Sequence, residues 1–316
     1  MTSLATKPVD VTVYSRETLL RDFVAYQTYE RGASKHTVSN YRHDLAKLDA
    51  FLPHDMGWQE VDRATLRAFL QVLQERGYAL ASIRRVVACI KSFYKFLRLE
   101  GHVERAAVDD LPRMKVPQVL PRFLEWEQVE KLIEAPLNHL SRARGGWAVR
   151  HRNHTLLMLF AATGIRASEA AGLRLGDLRL DDCAAIRVFG KGSKERVIPL
   201  HDGAADVLKD YVNRWRPKLR PQSDHLFVTD EGTPLSRESF GFSVRRYARL
   251  AGLSQRVYPH ILRHSFATAM VRNGCPLPVV QELLGHASIA TTAIYTHVSP
   301  EHLRSAYTAF HPATRR

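Results

Sequence analysis

The residues best suited to chemistry lie in one stretch near the C-terminal end of the chain. It contains His260 and Arg263, then His286 directly after Gly285, and then Tyr295. Imidazoles, a guanidinium and a phenol between short helical segments suit a phosphodiester as substrate, because arginine binds two phosphate oxygens with its planar fork. We therefore interpret Tyr295 as a nucleophile toward DNA phosphate. Any one of these residues, taken alone, is more often an ordinary surface or core side chain.

Attack on a phosphodiester requires three further functions. The transition state gathers negative charge on the non-bridging oxygens, so fixed cations must lie beside them, and Arg166 and Arg263 are the candidates. A phenol has a pKa of about 10, so its proton must be removed, and we assign His260 to assist because it shares a helix face with Arg263 three residues on. The leaving 5′-oxygen needs a proton, for which Lys191 is the candidate.

The bulk composition indicates a polyanion as partner. The chain has 316 residues, with 46 Lys and Arg against 32 Asp and Glu, and a formal net charge of +14. The longest apolar run, Leu156 to Ala162, is far short of the roughly 20 residues of a membrane-spanning helix, and the N-terminus lacks a signal-peptide pattern. We therefore predict a cytoplasmic protein that binds nucleic acid. Without a carboxylate cluster, a zinc-type cysteine spacing or a Walker-type loop, the sequence predicts no metal and no cofactor.

Residues 14 to about 100 have helical apolar periodicity throughout, with Ser34 as a predicted N-cap. The fourth predicted helix, which begins near Ser82, has a basic stripe opposite its apolar face, and a second strip precedes it along the chain. Such a stripe is usually a solvated cationic face, but the net charge favours phosphate contacts. The predicted DNA-binding residues are Lys35, Arg42, Arg84, Lys91 and Lys95, together with Arg245 and Arg246 from a later helix.

The later part of the chain mixes helices with a few strands. Prolines between Val108 and Pro121 indicate a linker. The predicted elements are a helix over Trp126 to Ile133, a basic loop over 138–152, a buried helix over His154 to Ala162, strands over Ala185 to Phe189 and Glu195 to Leu200 joined by a hairpin turn, a helix over Asp206 to Arg216, a short strand over Leu226 to Val228 and a helix over Ser236 to Ala251.

Several motifs, in this order, resemble those of the tyrosine recombinase (phage integrase) family, most closely its Xer branch. They are Ala162-Thr163-Gly164-Ile165-Arg166-Ala167-Ser168-Glu169, Gly190-Lys191-Gly192-Ser193-Lys194-Glu195-Arg196, His260-Ile261-Leu262-Arg263-His264-Ser265-Phe266-Ala267-Thr268, Leu283-Leu284-Gly285-His286 and Tyr295-Thr296-His297-Val298. The resemblance covers about residues 14 to 310. It implies six catalytic residues: Arg166, Lys191, His260, Arg263, His286 and the nucleophile Tyr295.

The resemblance also implies the architecture and the reaction. The expected fold is mainly α with a small β-sheet, a helical N-terminal core-binding (SAM-like) domain followed by an α+β catalytic domain. We expect domain one at 14–104, a linker at 105–121, the catalytic domain at 122–300 and a tail helix at 301–316. The implied reaction is site-specific recombination through a 3′-phosphotyrosyl link at Tyr295 and a four-way DNA junction, without metal or nucleotide.

Partners and alternatives follow from the same resemblance. Expected partners are a double-stranded target site and further protomers in a tetrameric synaptic complex, either identical or from a paralogous recombinase. The tail helix either packs on its own domain or docks on a neighbouring protomer. The biological role is Xer-like resolution of chromosome or plasmid dimers, or integration and excision of a mobile element. Two other classes stay open at this point: a type IB topoisomerase-like enzyme and a non-catalytic DNA-binding protein.

Overall fold

The computed structural model describes residues 14–111, 123–138, 146–181, 183–190, 195–285 and 300–314. The chain divides into two compact units, residues 1–119 and 120–316. Helices dominate both units, and a three-stranded sheet lies in the second. The prediction of a mainly α fold with a small sheet is therefore confirmed. Within the described ranges, no helix combines the length and the apolar character that crossing a membrane would require.

The first unit is built from four helices. They are α1 (Arg16–Ala25), α2 (Lys35–Asp49), α3 (Arg63–Glu75) and α4 (Leu80–Leu99). Three of them begin at a side-chain cap, as the sequence predicts for Ser34, whose Oγ accepts a hydrogen bond from the Thr37 amide at 3.2 Å. α1 continues through one π-helical turn, Tyr26–Glu30. The prediction of an all-helical N-terminal region is confirmed.

An aromatic cluster forms the core of this unit. Phe93 of α4 contacts the rings of Phe23 and Trp58 edge-on, at centroid distances of 5.2 and 5.1 Å. The core also includes residues that the sequence analysis placed in the linker: Ala106, Val108 and Leu111 are buried in it, next to a 3₁₀ turn at Ala107–Asp110. The packed core of this unit thus extends to Leu111, ahead of the prolines on which the linker prediction rests. The remaining linker residues, 112–121, lie outside the described residues.

The second unit contains eight helices and the sheet within the described ranges. They are α5 (Trp126–Asn138), α6 (Gly146–Thr163), α7 (Ala167–Gly172), β1 (Leu178–Arg179), β2 (Ala185–Phe189), β3 (Glu195–Pro199), α8 (Asp202–Asp210), α9 (Arg237–Leu250), α10 (Pro259–Arg272), α11 (Leu277–Leu284) and α12 (Pro300–Phe310). The sheet is antiparallel in the order β1-β2-β3, with Ile186 opposite Ile198 and Val188 opposite Arg196. β2 and β3 confirm the predicted strands, whereas β1 was not predicted.

The prediction of a basic loop over 138–152 is wrong for much of its length. Asn138 ends α5, and Gly146 begins α6, which runs without a break to Thr163. The cause is that Arg152 is buried, donating from Nη1 to the Val228 carbonyl at 2.9 Å, so a position that looks polar in the sequence belongs to the helix's inner face. Residues 139–145 lie outside the described residues.

Two other predicted elements also differ from the structure. Leu226 to Val228 is buried but forms no strand; only isolated bridges occur there, between Arg174 and His225 and between Val228 and Pro234. The carbonyls of Leu226 and Val228 accept hydrogen bonds from buried arginines, and that of Phe227 accepts one from the Leu235 amide. The predicted helix over Asp206 to Arg216 begins earlier, as α8, and continues through a π turn and a 3₁₀ turn to Leu219.

The last helix packs on its own unit. Leu303, Ala306 and Tyr307 of α12 are buried in the core of the second unit. The Tyr307 hydroxyl donates a hydrogen bond to the carbonyl of Ala162 at 2.9 Å. Docking of this helix on a neighbouring protomer stays a prediction, and it would require this buried face to be released.

Candidate active site

Three of the predicted catalytic residues line one cavity of the second unit. Arg166 comes from the start of α7, and His260 and Arg263 come from the first turns of α10. The cavity has a volume of about 460 Å³ and is also lined by Arg245 of α9 and by Tyr258. Residues 97 positions apart in the sequence, 166 and 263, therefore meet at one site.

Gly164 makes the turn that allows this convergence. It separates α6 from α7 with φ at +59°, a left-handed conformation that glycine adopts without a steric cost. A Cβ at this position would lie 2.7 Å from a ring carbon of Phe266 and 2.8 Å from a methyl carbon of Leu284. The α6–α7 turn therefore lies directly against α10 and the end of α11.

Arg263 is fixed by backbone carbonyls at the ends of two helices. Its Nη1 donates to the Gly164 carbonyl at 2.8 Å, and its Nη2 donates to the Leu284 carbonyl at 2.6 Å. Helix C-terminal carbonyls carry partial negative charge and so stabilise a cation. Burial and the neighbouring charge of Arg166 lower the pKa of Arg263 to about 10. The guanidinium therefore stays charged at neutral pH and is held rigidly at the cavity wall.

Arg166 is held by a carboxylate one helical turn away. Its Nη1 donates to Glu169 Oε1 at 2.8 Å, and its backbone amide donates to Oε2 of the same side chain at 2.9 Å. Its Nη2 lies 3.4 Å from the Gly285 carbonyl. The Arg166 side chain is 41% exposed, so part of the guanidinium faces the cavity. Arg166 and Arg263 thus provide two cations for one anionic ligand.

Glu169 has a second and fuller partner in Arg196 of β3. The two side chains form a bidentate ion pair, with N···O distances of 3.0 and 2.9 Å. Burial alone raises the pKa of the Glu169 carboxyl, but hydrogen bonds from Arg196 and Arg166 bring it below its ordinary value. Glu169 and Arg196 lie within the family motifs, but neither was predicted to belong to the site. Glu169 could have been assigned to the site from the sequence, because it follows Arg166 by three residues at a helix start directly after a glycine turn.

His260 is exposed on the first turn of α10. Its ring stacks on that of Tyr258, with centroids 5.6 Å apart and planes 10° from parallel. The guanidinium of Arg245 lies 5.7 Å from the centre of the Tyr258 ring. An exposed imidazole at the cavity is accessible to a ligand.

The remaining predicted catalytic residues, Lys191, His286 and Tyr295, lie outside the described residues, as do residues 191–194 of the predicted hairpin turn. Their flanking elements are described: β2 and β3 precede and follow 191, and Gly285 ends α11 with φ at +64°. The roles of all six residues stay predictions; the structure brings three of them together.

Two family models match the chain. The Phage integrase family matches residues 122–302, and the Phage integrase, N-terminal SAM-like domain matches residues 20–101. The chain belongs to the phage integrase family. The recognition of this family from the sequence motifs is confirmed, and so is the SAM-like class of the N-terminal helices.

Relatives and solved structures agree with that assignment. Tyrosine recombinase XerD of Halalkalibacterium halodurans is 37% identical over 298 residues, which cover 93% of this chain and 97% of the relative. The XerH site-specific recombinase bound to palindromic difH substrate has a TM-score of 0.69 at 26% identity, covering 92% of this chain and 84% of that chain. A lambda integrase tetramer bound to a Holliday junction has a TM-score of 0.69 at 19% identity over 94% and 85% of the two chains, which shows the shared fold alone.

The chain is therefore a site-specific tyrosine recombinase, a DNA-breaking and DNA-rejoining enzyme, as predicted. The comparisons give no support to the topoisomerase-like or the non-catalytic alternative. The match to the XerD relative covers nearly the whole length of both chains.

The predicted DNA-contact residues of the recombinase lie on accessible surfaces. Lys35, Arg42, Arg84 and Lys95 are exposed, and Lys91 and Arg246 are partly exposed. No ion pair of Lys35, Arg42, Arg84, Lys91 or Lys95 occurs within the described ranges. Two other cations of the same strips are paired: Arg98 lies 3.1 Å from an Asp109 carboxylate oxygen, and Lys47 lies 3.2 Å from the buried Asp44. The DNA contacts themselves stay predictions.

Proposed function

We propose that this recombinase cuts and rejoins one DNA strand at a time through a covalent 3′-phosphotyrosyl bond to Tyr295. The observation that carries the proposal is the convergence of Arg166, His260 and Arg263 on one cavity. Two guanidinium groups held by fixed acceptors suit the non-bridging oxygens of a phosphodiester, where charge develops during displacement. The family assignment supports the same chemistry.

In the proposed step, the phenolic oxygen of Tyr295 attacks phosphorus as the bond from phosphorus to the 5′-oxygen breaks. His260 assists removal of the phenolic proton, and Lys191 protonates the departing 5′-oxygen. The phosphodiester is replaced by another phosphodiester, so the bond energy is kept in the phosphotyrosine. Attack by the 5′-hydroxyl of a second strand reverses the step and releases the enzyme, which is why no nucleotide is consumed.

We propose that both units bind the target duplex, and that four protomers exchange strands through a four-way junction. The proposed phosphate contacts are Lys35, Arg42, Arg84, Lys91 and Lys95 of the first unit and Arg245 and Arg246 of α9. The relatives named XerD, matched over almost their whole length, support a role of Xer type in resolving chromosome or plasmid dimers. An assay of strand exchange with the purified protein alone tests whether the chain needs a paralogous recombinase.

The test is covalent trapping on a suicide duplex, whose short 5′ fragment diffuses away after cleavage. Tyr295→Phe should bind the duplex with unchanged affinity and form no adduct. Tyr258→Phe is the matched control, because it removes the phenol of a tyrosine that lines the cavity. That variant should form the adduct at a rate within a few-fold of the wild type.

Two outcomes would contradict the assignment. An adduct in Tyr295→Phe that disappears in Tyr258→Phe would move the nucleophile to the cavity tyrosine. Relaxation of plasmids without any preferred cleavage position would instead favour a topoisomerase-like activity. Mapping the cleaved positions on host DNA distinguishes dimer-resolution sites from the ends of a mobile element.

A further inference from the structure

Arg196 occupies a position that the proposed chemistry leaves unexplained. It lies on β3 with only 12% of its side chain exposed, and it is absent from the lining of the cavity. Three of its nitrogens nevertheless donate hydrogen bonds: Nη1 and Nη2 to the two carboxylate oxygens of Glu169, and Nε to the Leu283 carbonyl at 3.0 Å. An arginine that uses its whole fork on protein acceptors has no free face for a ligand, so any effect on the reaction must pass through those acceptors.

These three bonds connect Arg196 to both cations of the cavity. Glu169, its carboxylate partner, also accepts a hydrogen bond from Arg166 at 2.8 Å. Leu283, its carbonyl partner, precedes Leu284, whose carbonyl accepts from Arg263. One side chain therefore fixes α7 and the end of α11 at the two points that hold Arg166 and Arg263.

The backbone at the end of α11 is fitted to this guanidinium. Gly285 has φ at +64°, and a Cβ there would lie 3.0 Å from Arg196 Nη1 and 3.1 Å from its Cδ. The arginine thus packs against the Gly285 backbone, whose carbonyl lies 3.4 Å from Arg166 Nη2. Close packing of this kind leaves the guanidinium little freedom to rotate.

The buried charge of Glu169 determines how the loss of Arg196 would affect Arg166. Glu169 is 4% exposed, and a buried carboxylate needs a cationic partner or full hydrogen bonding. Its ion pairs within the described residues are with Arg196 and Arg166. Without Arg196, Arg166 alone would compensate the carboxylate, so its guanidinium would be drawn toward Glu169 and away from a phosphate in the cavity.

We propose that Arg196 is a positioning residue for strand cleavage: it neutralises Glu169 and holds the end of α11, and so leaves Arg166 and Arg263 directed at the scissile phosphate. The inference rests on the proposed function, because it assumes that these two arginines bind that phosphate. Arg196 itself touches no substrate. Its effect on the reaction is transmitted through Glu169 and through Leu283.

The experiment measures single-turnover adduct formation by purified Arg196→Met on two suicide duplexes, one with a normal scissile phosphate and one with a methylphosphonate. On the phosphate, we expect a rate loss of roughly 100-fold, the size that a misplacement of about 1 Å can cost. The methylphosphonate lacks one charged oxygen, so less charge needs stabilising by Arg166. The loss on that substrate should shrink to about 10-fold or less.

The matched control is Arg187→Met on β2 of the same sheet. Arg187 also pairs with a buried carboxylate, Asp177, at 3.2 Å, but neither residue lines the cavity. Its removal should change the two rates by the same small factor. If Arg196→Met loses the same factor on both substrates, or behaves as Arg187→Met does, the positioning role is wrong and Arg196 is structural.

A conservative variant covers the case in which Arg196→Met does not fold. Arg196→Lys keeps the charge beside Glu169 but lacks the fork that also reaches Leu283, so it should fold and show an intermediate loss on the phosphate with partial recovery on the methylphosphonate. Equal losses on both substrates would again overturn the proposal. Failure of the wild-type protein to form any Tyr295 adduct would instead refute the proposed function.

Discussion

Two pairs of arginines in the second unit donate to backbone carbonyls, and they differ in what they leave free. Arg152 and Arg216 are 7% and 6% exposed. Arg216 donates to carbonyls between Ser223 and Leu226, and Arg152 donates from Nη1 to the Val228 carbonyl and from Nε and Nη2 to the Asn153 side chain. Arg166 and Arg263 also use carbonyl acceptors, but they remain accessible at a cavity and lie close enough for their charges to oppose each other.

The difference separates a structural arginine from one held ready for a ligand. The buried pair satisfies carbonyls of a segment that forms no strand, and its guanidinium groups are enclosed by the protein. The cavity pair places two like charges side by side, an arrangement that costs free energy until an anion binds between them. Carbonyl contacts alone therefore do not identify a site; the opposed cations at an accessible cavity do.

The largest expected effect comes from removing a cavity cation. Arg263→Ala should slow adduct formation by about 100- to 1,000-fold, because it removes a preorganised donor from the developing charge. DNA affinity should change by only a few-fold, as measured by gel shift. Arg272→Ala is the control on the same helix, since Arg272 pairs with the exposed Glu125, and it should cleave at nearly the wild-type rate. Similar losses in both would remove the distinction between cavity and surface arginines.

The turn that brings the cavity pair together gives the next effect. Gly164→Ala should lower the free energy of unfolding by roughly 3 kcal/mol, combining left-handed backbone strain with overpacking against Phe266 and Leu284. It should also slow cleavage, because the Gly164 carbonyl holds Arg263. Gly77→Ala has the same sign of φ with open space around the position, so chemical denaturation should show a loss of only about 1 kcal/mol and cleavage should be unchanged.

Removing a buried structural arginine should have the opposite signature. Arg152→Met leaves the Val228 carbonyl without its donor, which should lower the free energy of unfolding by about 1–3 kcal/mol. Cleavage per folded molecule should stay at the wild-type rate. The exposed pair of Arg174 with Asp224 serves as reference, and Arg174→Met should lower the free energy of unfolding much less than Arg152→Met does, because solvent screens an exposed pair. A selective loss of cleavage in Arg152→Met would place that residue in the functional class.

The smallest effect concerns the basic stripe of α4 in the first unit. Lys95→Gln should reduce the slope of log affinity against log salt concentration by about 1, the value for one lost phosphate contact. Arg98→Gln should change it less, because Arg98 already pairs with Asp109. Equal slopes for the wild type and Lys95→Gln would remove that lysine from the DNA-binding surface.

Local signals predicted the parts of the fold and site that depend on neighbouring residues. Ser34 caps α2, and β2 and β3 lie where strands were predicted. His260 and Arg263, three residues apart, do line one cavity. In each case the hydrogen bond or the periodicity is contained within one element, so the sequence is enough to identify it.

Contacts between distant elements were not predictable in the same way. Glu169 and Arg196 are 27 residues apart, and Arg152 and Val228 are 76 apart, so no short spacing links either pair. The inner face of α6 is also hard to recognise in the sequence, because it includes Arg152, and arginine counts as polar in an apolar periodicity. The burial of Ala106, Val108 and Leu111, within the segment assigned to the linker, is of the same kind, because these side chains pack against residues distant in the sequence.

The anchor of α12 limits how far the predicted nucleophile can reach. Tyr295 precedes Pro300 by 300 − 295 = 5 residues, and an extended chain spans at most about 3.6 Å per residue, so its Cα stays within roughly 18 Å of the start of α12. While Tyr307 stays bonded to Ala162, α12 is held on the second unit and this limit applies. Attack on a phosphate beyond that reach would require α12 to detach, which would expose the buried side chains of Leu303 and Ala306.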